Sequence, residues 1–111
     1  MTQTEALALT LIIEGMSALV IGRALSLSAA NCALAAMLAS LFTHPLLWAV
    51  FYDVHAIVGP LTTPLLEAAV FLAEAPFYRW LVGCRWNDAL LASLLVNATS
   101  WGAGEVIYAL A

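Results

Sequence analysis

Four apolar stretches, each about as long as the roughly 20 residues a helix needs to cross hydrocarbon, follow one another with only short polar breaks between them. No other feature constrains the fold as strongly. The breaks read "GRALS", "YDVHAIVGPLTTP" and "GCRWND". They place predicted helices at about residues 5–22, 26–51, 58–82 and 88–110, all within one domain, residues 1–111. Spanning strands would instead show period-two alternation and a weaker apolar signal. The expected fold is therefore an all-α integral membrane protein, a four-transmembrane-helix antiparallel bundle.

Composition supports the same class. The chain is 65% hydrophobic and 9% charged, against about 45–50% and about 25% for soluble domains. A chain this short has much surface for its volume and would need more polar cover in water, not less. "MTQTEALALT" lacks the basic start of a secretory signal, so a signal peptide is not expected. A net charge of −4 with no lysine argues against a nucleic-acid partner.

Arginine sets the expected orientation. Arg23 lies in the first break, and Arg79 and Arg85 flank the third. In an up-down chain those breaks share one side, while the second holds Asp53 and His55 and no arginine. Positive residues stay cytoplasmic. Both termini are thus expected outside, with all three arginines on the cytoplasmic side of a bacterial inner membrane. Trp48, Phe51, Tyr52 and Tyr108 collect near the outer end, and Phe77, Tyr78, Trp80 and Trp86 near the inner one. Aromatic belts of this kind anchor helices at the headgroups; stacking on a ligand is the alternative role.

A possible internal repeat divides the chain into two helical hairpins. "LIIEGMSALVI" from Leu11 compares with "FLAEAPFYRWL" from Phe71, setting Glu14 against Glu74. "CALAAMLASLFTHPLLW" from Cys32 compares with "DALLASLLVNATSWGAG" from Asp88, setting Thr43 against Thr99 and His44 against Ser100. Repeated halves related by an axis along the membrane normal are an established membrane architecture.

Polar side chains inside such stretches are costly, about 2.5–3.5 kcal/mol for a central acid on insertion scales, and so face the bundle or a water-filled space. Glu14, near mid-depth of the first helix, has no basic neighbour within two turns. Glu67 and Glu74 are seven residues apart on one face of the third, with Tyr78 one turn further. Glu67 can also be read as an anion favoured by the start of a helix that Thr63 caps and Pro64 opens. Glu74 can be read as an ion-pair partner of Arg79. Glu105 is expected to be hydrated at the outer end. The fourth helix carries Ser93, Asn97, Ser100 and Gly104 on one face, and the second carries Ala36, Ser40, Thr43 and His44. Small and hydroxyl residues let helices approach and bond across the contact. Ser40, Ser93 and Gly104 are read as packing positions. Glu14, His44, Glu67, Glu74, Asn97 and Ser100 are the candidates for an intramembrane polar, proton or ligand site. His44-Pro45 either ends the second helix or kinks it; "LLWAVF" beyond is apolar all round, which favours a kink.

Cys32 and Cys84 have no zinc-type spacing. Cys32 reads as a small packing residue, and Cys84, beside Arg85, as accessible from the cytoplasmic side. "NAT" at Asn97–Thr99 falls inside a helix and is discounted as a glycosylation acceptor. No nucleophile is spaced to match the acidic and histidine residues, so an enzyme, a metal centre and a cofactor are not expected. Partners are the lipid bilayer and other membrane subunits, or a second copy. Two functions remain: an accessory or assembly subunit of a membrane complex (or a self-associating bundle), and a small proton- or cation-coupled transport protein using the embedded carboxyls.

Overall fold

The computed structural model describes residues 2–110, which form helices and turns with no strand among them. The helices are α1 (Gln3–Ala24), α2 (Ala29–Val58), α3 (Thr62–Leu81) and α4 (Trp86–Leu110), with a single 3-10 turn, Gly59–Leu61, between α2 and α3. Three helical stretches are long and apolar enough to cross a membrane: Gln3–Ala24, Ala29–Leu81 and Trp86–Leu110. The middle stretch folds back on itself at the 3-10 turn, so that α2 packs along α3. Each helix packs on its chain neighbours and α4 returns to α1, with little contact across the diagonals. The assembly measures 40 × 27 × 19 Å.

Local chemistry accounts for most helix ends. Thr2 and Glu5 form a reciprocal capping box at the start of α1. Ser28 caps α2 by accepting from the Asn31 amide. Gly83 turns the chain between α3 and α4 at φ +73°, a region open to glycine.

The second break lies later than the sequence predicts. The expected end of the second helix near residue 51 moves to Val58, because "YDVHAIV" holds no helix breaker and the first residue able to adopt φ +59° is Gly59. The Thr62 hydroxyl then closes the turn by donating to the Gly59 carbonyl at 2.6 Å. Asp53 and His55 consequently lie on α2 rather than in a loop. Pro45 sits inside α2, and Pro76 inside α3. Each removes one backbone donor from its helix.

Packing divides the molecule along its length. At the end holding the α1–α2 and α3–α4 turns, Ala18, Cys32, Ala35, Ala36, Tyr78, Cys84, Ala89, Ala92 and Val96 form a close-packed core. Alanine on facing helices lets the backbones approach. Gly22 marks the tightest crossing: a Cβ there would lie 3.0 Å from Cys32 Sγ and 3.1 Å from Ala29 Cα. Cys32 thus packs as expected. Cys84 does not behave as expected, since its thiol is buried and donates to the Tyr78 carbonyl at 3.7 Å.

Candidate functional site

Above that core the helices enclose an open cavity of about 610 Å³. Its floor lies at mid-length and its rim at the end shared by the start of α1, the α2–α3 turn and the end of α4. Polar side chains concentrate at the floor. The alanine-rich core below is close-packed, and the cavity opens above it.

Two carboxyls form the floor. Glu14 of α1 is 4% exposed and Glu74 of α3 is 1% exposed. The Ser40 hydroxyl, from α2, donates to the Glu14 carboxyl. Glu74 is held from two sides: Thr43 Oγ1 of α2 donates to Oε2 at 2.6 Å, and Asn97 Nδ2 of α4 donates to Oε1 at 3.0 Å. The Asn97 amide also reaches back to the Ser93 carbonyl at 2.8 Å, which fixes its rotamer. Ser93 in turn donates to the Phe71 carbonyl at 2.8 Å and ties α4 to α3. All of these donors are neutral, so they orient the carboxyls without supplying a counter-charge. No arginine lines the cavity.

The arginine that the sequence offers to Glu74 is directed elsewhere. Arg79 places its guanidinium 6.0 Å from the Trp86 ring centroid, at the opposite end of the molecule from the rim. Glu74 and Arg79 are five residues apart, a spacing that puts them on different faces of α3. The ion-pair reading is replaced by the bonds to Thr43 and Asn97.

The remaining candidates distribute as follows. Glu67, His44 and Ser100 all line the cavity. Glu67 lies beyond the first turn of α3 and is half-buried, so the helix-start reading does not describe its surroundings. His44 is half-buried, and its Nδ1 has no hydrogen-bond partner. Ser40 and Ser93 are buried, at 1% and 0% exposure. Gly104 is the exception. It is exposed, and a Cβ there would meet nothing within 4 Å. It borders the open cavity rather than a helix. Glu105 is exposed and accepts from the Trp101 indole at 3.2 Å.

Sequence reasoning misses four lining residues, Thr10, Leu47, Val70 and Trp101. For Trp101 a signal existed: Asn97, Trp101 and Glu105 recur at spacings of four and share one face of α4. It also reads Trp48, Phe51 and Tyr108 as an interfacial belt, whereas all three border the cavity. Tyr78, wholly buried beneath the floor, has an unpartnered hydroxyl.

Comparison with protein-family models, with curated proteins and with solved structures finds no match to this chain.

Proposed function

We propose that the chain is a four-helix membrane bundle that binds and moves protons or cations through Glu14, Glu67 and Glu74. One observation carries the reading. An open cavity ends on two buried carboxyls whose hydrogen-bond partners are all neutral, with a third carboxyl on its wall and no cation among its lining residues. Embedded acids on a water-accessible path are the usual carriers of protons and cations across bilayers. The complete partition of Arg23, Arg79 and Arg85 to the end opposite the rim turns the cavity outward, with both termini outside. Onward passage requires the alanine core to open. Pro45 and Pro76, which weaken α2 and α3 beside the floor, supply the places where those helices can bend.

Reconstitution into liposomes tests the proposal. An imposed pH or sodium gradient should drive flux that Glu14→Gln abolishes, since glutamine keeps the shape of the neutral acid but cannot exchange a proton. Absence of any gradient-driven flux in the unaltered protein refutes the reading.

A second reading, an accessory subunit or self-associating bundle, draws support from α4. Ala98 and Gly102, four residues apart, are both exposed, and a Cβ at Gly102 would meet nothing within 4 Å. Small residues at that spacing admit a second helix. Native mass spectrometry from mild detergent separates the two: a stoichiometric second membrane protein favours the subunit.

A further inference from the structure

We infer that the cavity takes an organic ammonium ion whose charge is carried on an apolar body. The inference rests on the cation-binding reading above and names the class of cation.

Size is the first argument. A bare proton or monatomic cation needs a few convergent oxygens, not a space of about 610 Å³. Among the described residues, no three carboxyl, imidazole or thiol groups converge closely enough to hold a metal ion. Calcium would require six to eight oxygen ligands, and magnesium a near-octahedral set. The carboxyls here are instead spread along the cavity: Glu14 and Glu74 at the floor, Glu67 on the wall, Glu105 toward the rim. Such an array attracts a diffuse positive charge without gripping a point charge.

The walls supply the second argument. Trp48 and Phe51 stand on α2, and Trp101 and Tyr108 on α4, the two helices that face each other across the diagonal. Aromatic faces attract alkylammonium groups through the ring quadrupole while covering their apolar arms. The two aromatic walls alternate around the cavity with α1 and α3, which carry Glu14, Glu67 and Glu74. Trp101 is pre-oriented by its bond to Glu105, so little rotamer freedom is lost on binding. Trp48 and Trp101 remain partly exposed, and their faces are available.

A third observation is independent of the acids. His44 Nδ1, on the cavity wall, has no hydrogen-bond partner. Native interiors pair more than about 90% of such atoms. An orphan on the cavity wall marks a polar group that the chain alone does not satisfy.

The test uses the full chain in mild detergent, with tetrapropylammonium as probe and sodium as the monatomic comparison. Binding is read by calorimetry and by tryptophan fluorescence. Tetrapropylammonium should bind saturably and more tightly than sodium. Trp48→Ala, Trp101→Ala and Glu67→Gln should each weaken it by about tenfold, as expected for loss of a desolvated cation–π contact or a counter-charge. Trp80→Ala, on the exposed face outside the cavity, should leave it unchanged. Trp101→Phe should retain most of the affinity, which separates loss of a ring from collapse of the wall. Failure of tetrapropylammonium to bind, or binding indifferent to both tryptophans, overturns the inference. If Glu14-dependent proton or sodium flux persists in that case, the cation-binding reading stands and the organic class alone falls. If flux is absent too, both fall.

Discussion

Asn97→Ala removes one of the two hydrogen bonds that hold the Glu74 carboxyl, the 3.0 Å contact from Nδ2 to Oε1. Glu74 is 1% exposed, so in the intact protein its oxygens depend on these two donors. An unpaired buried acceptor costs about 1–3 kcal/mol. Measured interhelical bonds inside membranes are weaker, about 0.6 kcal/mol on average and about 1.7 at most. Two structural details set the value between these limits. The second bond, from Thr43 at 2.6 Å, survives and keeps half the carboxyl satisfied. The Asn97 amide, however, also loses its bond to the Ser93 carbonyl, although that carbonyl retains the ordinary helical donor. A loss of about 1–2 kcal/mol follows, which lowers the midpoint of thermal unfolding by about 4–9 °C for a chain of this size. The assay is circular-dichroism melting in detergent micelles, repeated in a Glu74→Leu background. With the acceptor gone, Asn97→Ala should cost less than about half as much, because the two sites share one interaction. An equal cost in both backgrounds would place all the energy in the contact with Ser93 and refute the role assigned to the Asn97–Glu74 bond.

Four further outcomes follow from packing and burial. Gly22→Ala pushes a methyl to 3.1 Å from the Ala29 backbone, which cannot yield without moving α2; overpacking of about 1–3 kcal/mol, less the about 0.5–1 kcal/mol gained in helix preference, leaves a net loss measurable in the same melt. Gly15→Ala meets only the flexible Met37 side chain at 3.4 Å and should be neutral or stabilising. Gly104→Leu, with nothing near its Cβ, should stay within about 0.5 kcal/mol of the parent; a large destabilisation would show that α4 packs on another helix at that height. Burial pushes the Cys84 thiol above its ordinary value. Since the thiolate is the reacting form, maleimide labelling of the folded protein should be slower than after denaturation at neutral pH and should accelerate as pH rises. Fast labelling at neutral pH would contradict the burial.

The sequence by itself determined the helical class and the approximate position of each helix. Length and apolarity suffice for that, because a run of about 20 apolar residues has one economical conformation in hydrocarbon. It also singled out Glu14, Glu74, Asn97 and Ser40, since a buried acid or amide stands out against leucine and alanine. It could not say what each of these touches. The helices are apolar on every side, so periodicity does not distinguish a lipid-facing position from a core-facing one. The spacing separates Glu74 from Arg79 but does not name its partners, and Gly104 could as well have lain in a contact. The tertiary structure decided both. The rotation of α3 about its axis turns Glu74 toward Thr43 and Asn97. Gly104 lies beside open space, and Trp48, Phe51 and Tyr108 border the cavity as well as standing near the outer end. Helix rotation arises from the summed packing of many small residues on four surfaces, and no single residue in the sequence encodes it.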